Sequence, residues 1–377
     1  MLSTGFERLG VRCDPMMPTP WCDEDDPRIR RAEAHLFHQA DYWKSLGAEG
    51  VVLYAWAMPQ FTSIARAIKE AGLKLMVHLD TSGLLSPRLD GTLYNHLVLQ
   101  RHRMEKGWLL GTAKALAGIA RGMIPRVMDL PRLEHMAFGD VVGVVSPIAC
   151  ERVRRFARHY NREDVVRKIR LALHPISPEM RWEGEHKEKR LCIVGRWRRS
   201  DWVKNPWLLA ESLGLVLARH RDHEAVVVGP YDGFFEGLMK DLPSDVKRRI
   251  HLPGRLGNEK VAEIYRTSRI GLCTSFSEGF HTSSAEAICS GCSLAGYQTP
   301  FIPNLPYYTA GGAGTLAAAG RPDLMAGAMA TEIKAWEEGG RDPAGISARW
   351  TARLHADKVA ARVMRLCENP DLEDDEA

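Results

Sequence analysis

Apolar and polar positions along this chain alternate between two rhythms. In the C-terminal half, short β-branched and aliphatic runs occur at LCIVG (191–195), AVVVG (225–229), RIHLPG (249–254) and IGLCTS (270–275). Between them, PWLLAESLGLVLARH (206–220) and NEKVAEIYRTS (258–268) place apolar residues every three or four positions. A strand buried on both faces reads as a continuous apolar run, whereas a helix packed on a sheet shows a stripe, so the pattern predicts a parallel α/β domain. The N-terminal half repeats the rhythm more faintly, with strands expected at VVLYAW (51–56), KLMVHLD (74–80), VVGVVS (141–146) and IRLALH (169–174), and helices at about 27–46, 60–71 and 149–160. Each C-terminal strand ends in glycine or a small polar residue, at the edge where an open α/β sheet places its ligand.

The pattern lapses into proline and charge at 174–190, which reads as a linker. The expected organisation is therefore an N-terminal Rossmann-like domain at 1–176, a linker at 177–189 and a second Rossmann-like domain at 190–346 that includes a small strand near 313–317. A long helix at 347–367 follows, with the option of returning to the first domain, and then a disordered acidic tail at 368–377. The length of 377 residues suits two cores better than one.

Composition narrows the class. Hydrophobic residues at 45% and charged ones at 26% are ordinary for a soluble globular protein, and the longest apolar run, VVLYAWAM (51–58), is far short of a membrane span. The opening MLSTGFERLG has neither a basic nor an apolar leader region, so a cytoplasmic location is expected. Net charge is +4, but between Glu151 and Arg199 fifteen Lys and Arg face seven Asp and Glu, a footprint suited to phosphate-bearing partners or to a solvated surface. Cys289 and Cys292 form a C-x-x-C without a second ligand pair, which reads as structural thiols.

Three features carry chemistry. Gly195 and Arg196 follow a strand, with Lys204 shortly before a helix at Pro206; a glycine there lets a ligand approach the backbone, and the two cations suit a diphosphate. In SEGFHTSSAEA (277–287), the chain turns from a strand into a helix near Thr282 or Ser283, so free amides of residues 280–283 offer an anion site. Glu278, ahead of that helix, can accept hydrogen bonds from sugar hydroxyls. Glu286, one turn inside, can reach the vicinal hydroxyls of a ribose or can serve as the capping-box partner of the N-cap. Third, KLMVHLD delivers His78 and Asp80 to a strand end in the first domain, where His78 is either structural or turned toward the ligand.

The order G-R…K, a strand, S-E-G-F-x(5)-E-A and a Gly-Cys turn resembles the C-terminal domain of retaining glycosyltransferases of the GT-B fold, the "group 1" family with its E-x7-E motif. The resemblance is carried by residues 191–296 and, less fully, by VVGVVSPIACERV and IRLALHPIS. It implies two Rossmann-like domains facing across a cleft. It assigns Glu278 to the sugar, Gly279, Phe280, His281 and Thr282 to sugar and phosphate, Glu286 to the ribose, and Arg196 and Lys204 to the leaving diphosphate. By position alone, Gly195 at its strand end joins the donor edge and His78 at its own strand end is a candidate catalytic group. Two departures stand out: His281 occupies a position usually held by glycine, and residues 1–50 contain no Gly-Gly loop but an acidic cluster, DEDD (23–26).

The function expected is hexosyl-type transfer from a nucleotide-diphosphate sugar, UDP or GDP, to an acceptor hydroxyl with retention. No metal and no cofactor are required, since cations and amides stabilise the leaving charge; Asp23 and Asp25 have D-x-D spacing but lie outside any strand pattern. Partners are then a donor, a glycan, lipid-linked or small-molecule acceptor, and no nucleic acid. Arginines beside an apolar face at 149–160 add an expected peripheral contact with anionic membrane, at the inner face. A nucleotide-sugar epimerase, a phosphorylase or a degenerate sugar-nucleotide-binding subunit are the alternatives.

Overall fold

The computed structural model describes residues 1–20, 26–91, 112–113, 116–118, 120 and 123–372. The chain divides into two compact units, one comprising Leu2–Leu173 with Ala360–Ala377, the other Met1 with His174–Val359.

In the first unit, a small parallel pair joins β1 (Met16–Pro18) to β2 (Arg30–Ala32). The main sheet is parallel throughout, in the order β3 (Gly50–Tyr54), β4 (Lys74–Leu79), β5 (Val141–Val144) and β6 (Ile169–Leu171). Its core gathers Leu75, Val77, Val142, Val144 and Ile169 from the strands with Ile68, Leu133, Val153 and Phe156 from the helices. The second unit carries six parallel strands in the order β12 (Gly314–Ala317), β11 (Ser293–Tyr297), β10 (Ser268–Leu272), β7 (Glu188–Val194), β8 (Glu224–Val228) and β9 (Ile250–Gly254). Parallel strands need crossover connections: Pro206–Arg219 joins β7 to its neighbour β8, Thr282–Cys289 joins β10 to its neighbour β11, and Asn258–Thr267 carries the chain from the edge strand β9 back to β10.

Several local expectations are corrected. The helix expected at 27–46 is β2, a 3-10 turn at Ala34–His38 and a short helix at Ala40–Ser45, because Trp43 and Phe37 pack on each other as a compact corner in place of a continuous stripe. The helix expected at 347–367 is two, Pro343–Leu354 and Ala356–Glu368; His355 between them is extended, and the backbone around Ile176 bonds to the chain on both sides of the break. The apolar face of helix Pro147–His159 is not available to a membrane: Ala149, Val153 and Phe156 are buried in the first unit's core, and the Tyr160 hydroxyl donates to Asp129 Oδ2 at 2.6 Å. No helix among the described residues is long and apolar enough to cross a membrane. The tail from 373 onward and Asp23 and Asp25 lie outside the described residues.

Candidate donor site

The site forms where β7 and β10 lie side by side, so the loops leaving their C-terminal ends are neighbours. The loop after β7 runs through a 3-10 turn at Arg199–Lys204 into Asn205, which adopts a left-handed conformation (φ 54°) and caps helix Pro206–Arg219 by accepting from the Leu208 amide. The loop after β10 does the same with His281 (φ 57°), which caps helix Thr282–Cys289. Asparagine tolerates that region well; histidine enters it less often and is held there by its surroundings.

The two loops are stitched together. The Phe276 amide donates to Val203 O at 2.8 Å, the Thr274 hydroxyl donates to Lys204 O at 2.9 Å, and the Trp202 and Phe276 rings meet at 5.9 Å. These bonds set Lys204 against Glu278: Nζ donates to Oε1 at 2.6 Å, with both side chains about one-fifth exposed. A partly buried carboxylate beside His281 and a lysine is favoured in its ionised form, and although burial opposes this, the Glu278 carboxyl is held below the usual carboxylate range. The loop from Glu278 to His281 is pinned from outside by Phe280, which is buried, touches Tyr308 and His174 edge-on, and accepts the Tyr308 hydroxyl on its carbonyl at 2.9 Å. Thr282 is exposed, and the amides of Gly279 to Ser283 make no hydrogen bonds among the described residues. A helix N-terminus with unclaimed amides is an anion seat.

Glu286 stands one turn into that helix. Its carboxylate forms no hydrogen bond or ion pair among the described residues, and burial pushes its carboxyl up to about 7. It is not a capping-box residue, because the cap is His281: the Ser284 amide donates to His281 Nδ1 at 3.3 Å. Thr282 and Ser283, the expected caps, are the first residues of the helix itself. Capping by an imidazole carries no sequence signal of the kind Ser, Thr, Asp and Asn give, which is why periodicity misplaced it.

The other expected residues have the following surroundings. Gly195 serves packing: a Cβ there would sit 2.8 Å from the Trp197 ring, and a Cβ on Gly229 would meet Gly195 O. Trp197 is buried with its indole N–H on Val228 O at 2.8 Å, so the two glycines let the ends of β7 and β8 close on that ring. Arg196 stands at the site edge, two-thirds exposed and paired with Asp201 at 2.8 Å. The His281 ring turns into the protein, toward Cys273, Ser275 and Ser284. His78 lies in β4 with Tyr54 against it at 4.6 Å, and its Nε2 is 3.0 Å from Ala172 O. Its ring passes over Gly143 of β5, where any Cβ would crowd it. That is a packing position within the first unit.

Cys289 and Cys292 are buried free thiols, with Cys292 Sγ donating to Tyr265 O at 3.0 Å. Among the described residues one group has metal-ligand spacing, Asp222, His223 and Glu337; it precedes β8, at the opposite end of the sheet from the site, and Asp222 is already engaged by Lys189.

Residues 188–334 match the family model "Glycosyl transferases group 1". The second unit is similar to a group 1 glycosyltransferase domain. No curated protein matches the chain in sequence. Among solved structures, the lipopolysaccharide outer core galactosyltransferase WaaB, in its apo form, is 15% identical with a TM-score of 0.61, over 98% of this chain and 94% of that one. Sucrose-phosphate synthase from Thermosynechococcus elongatus is 14% identical with a TM-score of 0.60, over 97% and 91%. Anabaena HepE, in complex with UDP and glucose, is 12% identical with a TM-score of 0.55, over 90% and 86%. These likenesses speak for the fold, and the α/β class with two Rossmann-like parallel sheets of the GT-B kind is the one observed.

Proposed function

We propose that the protein transfers a sugar from a nucleotide-diphosphate sugar to an acceptor hydroxyl, with retention and without a required metal. The observation that carries this reading is the Lys204–Glu278 pair beside unclaimed helix amides, with the raised Glu286 carboxyl one turn beyond. A diphosphate, a sugar and a ribose present three different needs in that order: positive charge, a hydroxyl acceptor and a second hydroxyl acceptor. Lys204, Arg196 and the amides of Gly279 to Thr282 take the phosphates, Glu278 holds the sugar, and Glu286 takes the ribose diol. In the reaction the bond from the anomeric carbon to the phosphate oxygen breaks while the acceptor oxygen bonds to the same face. The acceptor's proton passes to the leaving phosphate oxygen. Charge developing on that oxygen is met by groups already in place, and one such donor is worth about 3 kcal/mol.

UDP is the first donor base to test, since a solved structure of similar fold is a complex with UDP and glucose. A thermal-shift series with UDP, GDP, ADP, dTDP and CMP, with and without EDTA, tests the reading. A ligand at a hundred times its dissociation constant adds about 2.7 kcal/mol of stability. A shift with one nucleoside diphosphate that survives EDTA is expected; no shift with any of them removes the proposal. Release of nucleoside diphosphate that depends on an added acceptor then separates transfer from mere binding.

A further inference from the structure

His281 is a large titratable side chain where a glycine would satisfy the backbone. It is 4% exposed, and every polar contact of its ring is inside the protein. On one side, Nδ1 accepts from the Ser284 amide at 3.3 Å and lies 2.6 Å from Ser284 Oγ. A nitrogen that accepts an N–H carries the lone pair, so the proton of the neutral ring is on Nε2. On the other side, Nε2 is 3.3 Å from Cys273 Sγ and 3.5 Å from Ser275 Oγ. The ring therefore spans from the end of β10 to the first turn of the helix. Ser275 is itself immobilised, because the Tyr297 hydroxyl donates to its carbonyl at 2.8 Å. Glu278 lies three residues on, in the loop that runs from Ser275 to the helix beginning at Thr282.

We propose that His281 is a positioning residue: by bonding Ser284 at one end of its ring and facing Cys273 and Ser275 at the other, it closes the loop from Ser275 to His281 at its base and so fixes the Glu278 carboxylate that holds the transferred sugar. This rests on the reading of Glu278 as the sugar-contacting group. A glycine could adopt the same φ and free the same amides but could not reach β10. The histidine thus adds a link between strand end and helix start, so that the loop carrying Glu278 is supported from beneath as well as by Phe280 and Tyr308.

The test uses the full chain with H281N, H281G, S275A and the S275A/H281N double variant. Asparagine accepts the left-handed conformation and can cap the Ser284 amide, but it is too short to reach Ser275. Expected for H281N is a melting temperature close to wild type, turnover reduced about ten- to a hundredfold, and affinity for free nucleoside diphosphate changed less than about twofold. S275A should show the same split, and the double variant should be no worse than either single one, since the two residues act in series. A readout independent of transfer is the titration of Glu278, followed by NMR on carbon-labelled glutamate. Lys204, Cys273 and His281 are the titratable groups facing it, and its apparent pKa should rise in H281N and in S275A with Lys204 unchanged. Wild-type turnover in H281N and S275A, or losses that multiply in the double variant, would overturn the proposal, as would an unmoved Glu278 titration. If wild type transfers no sugar while the Glu278 titration moves as described, the link stands and the transferase reading fails.

Discussion

Two buried histidines show how the units differ. His78 sits within β4 of the first unit, in a strand where any residue has an ordinary backbone, and its ring reaches across Gly143 to a carbonyl beyond β6. His281 sits past the end of β10 in the second unit, in a left-handed turn, and its ring joins the end of β10 to the first turn of the following helix. The first ties strands to strands. The second supports a segment that also carries an ion pair and open amides. Both sheets are parallel and both have cores of aliphatic strands and helices, so the architecture alone does not create a site. What distinguishes the second unit is polarity concentrated just beyond the strand ends, where helix starts and partly buried charge coincide.

The sharpest way to break this contrast is Lys204→Ala. Turnover should fall roughly a hundred- to a thousandfold, because a leaving-group cation is lost and Glu278 is left without its counter-charge. A sugar-transfer assay showing less than a fivefold loss would return Lys204 to the status of a loop ion pair.

Glu286→Gln comes next. Affinity for the free nucleoside diphosphate should drop by about 1.5–3 kcal/mol, the scale of a charge-assisted hydrogen bond, as read by calorimetry. Its stability should change in the opposite sense. A carboxyl raised to about 7 keeps its proton in the folded state after the unfolded chain has released it near 4.5, so wild-type stability declines as pH rises through that interval. Denaturation curves at pH 5 and pH 8 should show the decline in wild type and its absence in the glutamine variant.

For the first unit, His78→Ala should cost about 1–3 kcal/mol of stability, through a lost buried hydrogen bond and a cavity under Tyr54. Turnover per folded molecule should stay within a few-fold of wild type, and a hundredfold loss would bring His78 back into the chemistry.

The smallest difference between the units is expected in acid. Burial depresses His135 in the first unit and His281 in the second to about 4. Each contributes stability that is complete above the unfolded value near 6.5 and is lost as pH falls from there toward 4, where the folded ring finally protonates. Urea midpoints between pH 7 and pH 4 should therefore fall in wild type, and fall less steeply in His135→Gln. An unchanged slope in that variant would mean that carboxylates dominate the acid limb.

Much of this was readable from the chain, for identifiable reasons. AVVVG and VVGVVS announce themselves because strands covered on both faces must be apolar at every position. The E-x7-E spacing and G-R…K located the loops that meet, since adjacent parallel strands bring their following loops together. Tertiary details were hidden. That Gly195 makes room for Trp197 depends on the approach of Gly229, thirty-four positions away, and no local pattern encodes it. The break at His355 depends on hydrogen bonds to Ile176. The apolar stripe at 149–160 is visible in the chain, but a stripe does not say whether core or lipid lies against it.

The grouping of Ala360 and the residues after it with the first unit has a consequence for synthesis. The side chains of Ala360, Val363 and Leu366 are buried, Arg170 of β6 donates to Leu372 O at 2.9 Å, and so the first unit is completed by residues made after the second. The whole stretch His174–Val359 must be translated in between, which at about 5–20 residues per second takes on the order of ten to forty seconds. Throughout that interval the nascent first unit lacks the residues from Ala360 onward, while the second unit is contiguous apart from Met1. Ribosome-bound chains stalled before residue 360 should thus recruit holdase chaperones to the first unit, and extending the chain past Leu372 should release them.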